Sequence, residues 1–272
     1  MVVGVFDWKK VKDLNPKKKS HLKHETVGIY AVWLREFKRF YRDKARFVSS
    51  IVRPLMWLLI IGLGIGASMR FSGLDLDYLP FITPGIIGMS VLFTSLFSGV
   101  SVIWDREFGF LKEMLVAPIS RVSIIIGKAL GGTTASIVQS IIIIIIAAFI
   151  GVSITLPSLL MLILTIIIVS VGFVSLGITI ASLMDTMEGF NVIMNFIVMP
   201  MFLLSGALFP INNLPSSISW IIYLNPMTYC VEAMRYSMIG VSSFNIVLSF
   251  GFILVFSISM SLIAAIAFSR RK

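Results

Sequence analysis

The chain has 272 residues, of which 57% are hydrophobic and 13% charged, with a mean hydropathy of +0.98 and a net charge of +10. Its apolar runs of about 20 residues are long enough to cross a hydrocarbon core roughly 30 Å thick, which excludes a soluble one- or two-domain protein. A single cysteine, Cys230, excludes an intrachain disulfide and a thiol metal cluster.

Charge is concentrated at the start. Before Pro54 there are 14 Lys/Arg and 5 Asp/Glu, which is +9 of the total +10. A basic excess directly ahead of an apolar span points to anionic lipid headgroups and cytoplasmic retention rather than to nucleic acid. Residues 1–26 read as a polar cytoplasmic tail, partly disordered, without the apolar core or small-residue cleavage site of a signal peptide. His21 and His24, beside several lysines in that tail, are expected to be solvated rather than to hold a metal.

Residues 27–48 follow as a basic helix. Tyr30, Trp33, Phe37 and Tyr41 recur at near-helical spacing, while Arg35, Lys38, Arg39, Arg42 and Arg46 mostly occupy other faces. Such a helix is expected to lie in the membrane interface, as a lipid-surface anchor or as a contact for a partner.

Residues 49–272 are expected to form an all-α transmembrane domain of six helices, spanning about 49–69, 79–104, 123–150, 158–184, 190–209 and 246–268. Pro54 falls in the opening turn of the first, where proline is tolerated. Lys128, near the cytoplasmic end of the third, is expected to snorkel to the headgroups. The run Ile141 to Ile146 would suit a strand in water, but a lone strand in lipid leaves backbone groups unpaired, so helix is the expectation. With both termini cytoplasmic, the inner segments hold 21 of the 23 Lys/Arg, leaving Arg70 and Arg235 outside.

Between the fifth and sixth spans, residues 210–240 contain "SSISWIIYL" and "MTYCVEAMRYSMIG", each too short to cross. Two short helices forming a re-entrant hairpin on the outer side are expected. Asn225 serves as N-cap and Pro226 as first helical residue of the second.

The cytoplasmic loop 105–121 is unusually charged for so apolar a chain. Phe108, Leu111 and Leu115 fall at i, i+3 and i+7, one helical stripe, whereas Arg106, Gly109 and Glu113 fall on another face, and Pro118 ends the helix before Arg121. A short amphipathic helix at the cytoplasmic surface is predicted; composition alone is satisfied by a solvated helix on the headgroups. No phosphate-binding G-x-x-x-x-G-K-[ST] loop occurs, since Gly127-Lys128 is followed by alanine, and H-E-x-x-H and G-x-S-x-G are missing. If ATP drives this protein, another polypeptide holds it. Within the spans, Gln139, Asn191 and Asn195 are candidates for a translocation path or for interhelical hydrogen bonds. Glu232 and Arg235, at i and i+3, are candidates for a local ion pair or an outer gate. Gly131 and Gly132 suggest close helix packing.

The order "RE-x-G-x-L-x-E-x-L-x-A-P-x-S-R" from Arg106 to Arg121 resembles the first cytoplasmic loop of type-two ABC export permeases. The segment "LREFKRFYRDK", containing Arg35, Glu36, Phe37 and Arg42, and the stretch "MPMFLLSGALFPINNLPSSISWIIYLNPMTYCVEAMR" are similar to the same family, nearest its drug- and lipo-oligosaccharide-exporter branch, which includes daunorubicin-type permeases. The resemblance implies a permease subunit in the cytoplasmic membrane that is not itself an enzyme. It would be paired with a second permease subunit, as a homodimer, and with separate ATPase subunits that carry ATP and Mg. It implies ATPase coupling through Arg106, Glu107, Phe108, Gly109, Leu111, Glu113, Leu115, Pro118 and Arg121, aided by the N-terminal helix with Trp33, Arg35, Glu36, Phe37 and Arg42. The cargo would be an amphipathic, drug-like or lipid- or glycan-linked molecule moved outward. The competing class is a channel or ion-driven carrier without an ATPase. No cofactor and no nucleic acid is expected on this chain.

Overall fold

Backbone groups in hydrocarbon have no water to bond, so a chain this apolar must satisfy them within helices. The structure, a computed structural model, describes residues 21–65, 78–117, 119–211 and 216–270, and every regular element among them is helical. We number these helices α1 (His21–Arg42), α2 (Lys44–Trp57, continued as a wider π-helix over Leu58–Ile65), α3 (Tyr78–Glu107), α4 (Phe110–Val116) and α5 (Arg121–Phe149). After these come α6 (Leu156–Leu183), α7 (Met187–Leu203), α8 (Ser216–Leu224), α9 (Pro226–Ile239) and α10 (Ile246–Arg270).

Among the described residues, five helices are long and apolar enough to cross a membrane: the one beginning at Lys44, then α3, α5, α6 and α10. The ends of α3, α5, α6 and α10 fall within three residues of the expected spans. The expected fifth span, 190–209, is a shorter apolar helix, Met187–Leu203. Pro200 has no N–H to offer the preceding turn, and the backbone widens to a π-helix over Met194–Val198. Beyond Leu203 the chain turns, reaching a left-handed backbone at Gly206, φ 73°.

The N-terminal part also departs from expectation. Residues 21–26, read as tail, are already helical. The helix expected over 27–48 is two helices, because the chain breaks at Asp43, whose carboxylate accepts from the Arg46 N–H at 3.1 Å and starts α2. Residues 1–20, and 66–69 of the first span, lie outside the described residues.

At the centre is α3. Of its most apolar stretch 83% is buried, against 17% for α2 and for α10. Around it pack α5, α6 and α9, and α6 in turn carries α10. The closest crossing is between α3 and α6, where a Cβ on Gly99 would fall on the backbone of Gly177. In the hairpin, Asn225 accepts from the Met227 N–H at 2.9 Å and Pro226 opens α9, the expected N-cap arrangement. Far from lying on the surface, α9 is buried over most of its length, from Met227 to Met238. Residues 212–215 lie outside the described residues.

Candidate functional site

Helix α1, the end of α3 and the first part of α5 meet at one cluster of charges. On α5, Gly127 and Gly131 flank Lys128 one turn apart. A Cβ on Gly127 would lie 2.6 Å from the Val32 Cβ, and one on Gly131 2.5 Å from the Glu36 Cβ, so glycine is what lets α1 approach this closely. Trp33 adds a hydrogen bond from its indole N–H to Thr134 Oγ1 at 3.0 Å, with Phe37 stacked on its ring. The aromatic stripe, expected to face lipid or a partner, therefore lies partly against α5, while Tyr30, Tyr41 and Arg42 remain exposed.

That approach brings Glu36 within 2.9 Å of the Lys128 ammonium. The same ammonium donates to Ser101 Oγ at 2.9 Å and to Asp105 at 2.5 Å. The second oxygen of Asp105 accepts from Arg35, and from Arg39 at 3.3 Å. Lys128 is 2% exposed and Asp105 0%. Lys128 thus does not snorkel to the headgroups, as its position suggested. A helical hairpin places it level with Asp105, and an ammonium buried this deeply must be paired. Three cations and two carboxylates leave one positive charge over, at the half-exposed rim formed by Arg35 and Arg39.

Through Arg35 the cluster reaches the loop. Its guanidinium donates to Met114 Sδ at 3.1 Å and lies 5.4 Å over the Phe110 ring, so α1 holds α4 directly. The loop is not one helix from Arg106. Helix α3 runs on through Glu107, the chain turns at Phe108, and Gly109 takes a left-handed backbone, φ 75°, before α4 begins. The expected stripe is broken there, since Phe108 stands in the turn. Three apolar side chains face outward: Phe108 at 69% exposed, Phe110 at 45% and Val116 at 86%. Glu107 and Glu113 are exposed beside them. The side chains of Leu111 and Leu115, and residue Pro118, lie outside what the structure describes.

Both arginines of the loop are used within the chain. Arg106 donates to the Met184 and Asp185 carbonyls at 2.5 and 3.1 Å, where α6 ends and carbonyls lack helix partners, and lies 3.8 Å from the Asp185 carboxylate. Arg121 donates to the Ser269 carbonyl at the end of α10. Glu25 of α1 accepts from Ser120 N and Oγ at 3.1 and 2.9 Å, and from Ser123, at the start of α5.

A cavity of about 560 Å³ opens between α2, α3 and α5. One wall is polar, with Arg46, Ser49, Ser50 and Arg53 of α2; the other is apolar, with Met89, Phe93, Phe97 and Trp104 of α3. At its floor Gln139 is 1% exposed, accepts from Thr94 Oγ1 and donates to the Ser50 carbonyl, so its amide binds three helices together. Asn191 and Asn195 are elsewhere, exposed on α7, where the Asn195 amide donates to the Asn191 carbonyl at 2.9 Å. Arg235 pairs with Glu232, donates to the Gly206 carbonyl at 2.7 Å and lies 4.1 Å over the Phe81 ring. Glu232 also accepts from Ser242 Oγ at 3.1 Å and from the Ser243 N–H. Both are buried, so the pair fastens α9 to the turn after α7 and to the loop before α10.

The joined charges of Lys128, Asp105 and Glu36 were missed in the sequence. Their signal was there: an aspartate and a lysine nearly equidistant from the turn near Val116, each beside an apolar span.

The ABC-2 type transporter family matches residues 27–239 of this chain. The ycf38 protein of Cyanophora paradoxa is 32% identical over 211 residues, covering 76% of this chain and 73% of that protein. The inner membrane transport permease YadH of Escherichia coli K12 is 27% identical over 246 residues, covering 87% and 93%. Nodulation protein J of Rhizobium leguminosarum bv. viciae is 25% identical over 245 residues, covering 89% and 93%. A helical bundle of long apolar segments with a short charged helix on the loop between α3 and α5, matched over most of its length, belongs to the ABC-2 type transporters, as a non-catalytic membrane permease of a kind that works with ATPase subunits.

Proposed function

We propose that this chain is the membrane subunit of an ATP-driven exporter in the cytoplasmic membrane, with both termini inside and α7 crossing as a sixth, π-widened span. A separate ATPase, carrying ATP and Mg, docks on the loop between α3 and α5, and two permease copies enclose the path. The cargo is amphipathic, drug-like or linked to a lipid or glycan.

The observation that carries this reading is the build of the loop. Phe108, Phe110 and Val116 are apolar and exposed within one short charged loop segment, a composition suited to docking. Behind them, Arg35 and the buried Asp105–Lys128 pair tie α4 to α1, α3 and α5. A push on α4 is therefore delivered to three helices as a unit rather than absorbed in a loose loop. The expected Arg106 and Arg121 contacts to the ATPase are replaced in this reading by contacts within the chain. Glu107, Phe108 and Glu113 keep the docking role.

Purification of the full chain from native membranes tests it. A separately encoded ATPase is expected to co-purify, and the chain stripped of it is expected to hydrolyse no ATP. Full transport in vesicles lacking any ATPase sinks the reading in favour of a channel or ion-driven carrier.

A further inference from the structure

The buried ionised side chains among the described residues all have partners. Lys128, Asp105, Glu36, Glu232 and Arg235 are each in a close ion pair. Arg46, half-buried with its guanidinium 6.0 Å over the Trp104 ring, and Arg53, exposed, have no ion pair to a carboxylate among the described residues. Both line the cavity between α2 and α3.

Their spacing is seven residues, two helical turns, which puts both on one face of α2 about 10 Å apart along its axis. Ser49 and Ser50 lie between them on the same wall, and each hydroxyl donates to its own helix, to Arg46 O at 3.1 Å and Phe47 O at 2.8 Å. The one carboxylate on the cavity wall, Asp43, accepts from the Arg46 backbone N–H. The polar wall therefore carries two guanidiniums against one carboxylate. Two guanidiniums facing a cavity with one carboxylate on its wall leave an excess of positive charge that an anionic group can complement. Opposite stand Phe93, Phe97 and Met89, a wall with no charge at all.

We infer that this cavity binds an amphipath with a phosphate-type anionic head, taken from the cytoplasmic leaflet, with its head on Arg46 and Arg53 and its apolar tail along Phe93 and Phe97. Guanidinium matches phosphate in two-pronged hydrogen bonds, which a compact ammonium does not. The volume of about 560 Å³ suits a head and the first part of a chain. That the occupant is cargo rests on the permease reading; that it binds does not.

The test uses the full chain with its co-purifying ATPase in nanodiscs, without ATP, and phosphatidic acid carrying a photoactivatable group on its acyl chain. Labelling is expected on the peptide containing Phe93 and Phe97, about tenfold above that from the same probe as uncharged diacylglycerol. The double variant Arg46→Gln/Arg53→Gln is expected to lose that excess, and Arg46→Lys/Arg53→Lys to keep part of it, which separates lost charge from lost fold. Equal labelling by both probes, or labelling that survives the double glutamine variant, overturns the proposal. So does complete competition by soluble pyrophosphate, which would mean a free anion, and so does near-complete cross-linking of Ser49→Cys between two copies with no lipid label, which would mean a second chain fills the cavity. Failure of the permease reading shows separately, as absence of an associated ATPase while labelling persists.

Discussion

The Lys128 ammonium and the Glu36 carboxylate lie 2.9 Å apart although 92 residues separate them in the chain. Glycines on either side of the lysine permit the contact, since α1 can settle onto α5 only where no Cβ intervenes. The pair joins the N-terminal helix to the membrane bundle at the level where α3 gives way to the loop. What the loop receives from a partner, α1 receives too.

Removing one member of this pair strands the other. Lys128→Met leaves Glu36 buried without its cation, while Asp105 retains Arg35 and Arg39, so unfolding free energy is expected to fall by about 3–5 kcal/mol. The double variant Lys128→Met/Glu36→Gln is expected to recover at least half of that. Unfolding in mixed micelles measures both; a double variant no more stable than the single would contradict the assignment of Glu36 as the stranded group.

Gly131→Leu places a side chain where Glu36 already stands and is expected to lift α1 from α5. Cys230 is fully buried, so a cysteine introduced as Val32→Cys, at a position 5% exposed, supplies a reporter with little background. Maleimide labelling of Val32→Cys is expected to be slow alone and much faster when combined with Gly131→Leu. Unchanged labelling would show that the helix seam tolerates a branched side chain.

Phe108→Asp and Val116→Asp charge the exposed apolar patch without touching a buried group. Both are expected to insert and fold normally, to lose most of the associated ATPase, and to lose transport with it. Glu107→Ala and Glu113→Ala are expected to reduce coupling while the chain stays inserted. Normal ATPase stimulation in all four would remove the docking role from this surface.

Arg106→Ala separates two roles that look alike in sequence. Its side chain is 28% exposed and its carboxylate partner Asp185 82%, so the ion pair itself contributes at most about 1 kcal/mol. Stability is expected to change little and ATPase association to persist, while ATP-driven transport falls because the loop is no longer stapled to the end of α6. Loss of ATPase association would instead make Arg106 a direct contact.

Much of the fold was legible because membrane hydrocarbon imposes a simple rule. Apolar length alone located α3, α5, α6 and α10 within three residues, and Asn225-Pro226 announced the start of α9. Less legible were departures from regular helix: the break at Asp43, the turn at Gly109, and the π-helix before Pro200. Each depends on a local backbone exchange worth little against the spans around it. The site was legible as a charged loop but not as a joined cluster. Lys128 and Asp105 each looked like an end-of-span residue free to reach water.

By itself, then, the sequence determined that this chain fills a membrane with helices, biases its cations toward its first fifth and contains no G-x-x-x-x-G-K-[ST] loop. Those properties are sums over many residues, and hydropathy and charge bias report sums. Tertiary structure alone decided that Arg35, Glu36, Asp105 and Lys128 form one buried junction, that Arg106 and Arg121 turn inward, and that Arg46 and Arg53 line a cavity with an apolar far wall. Those are pairings between distant segments, and an ion's partner is set by which helices the glycine seams allow to touch.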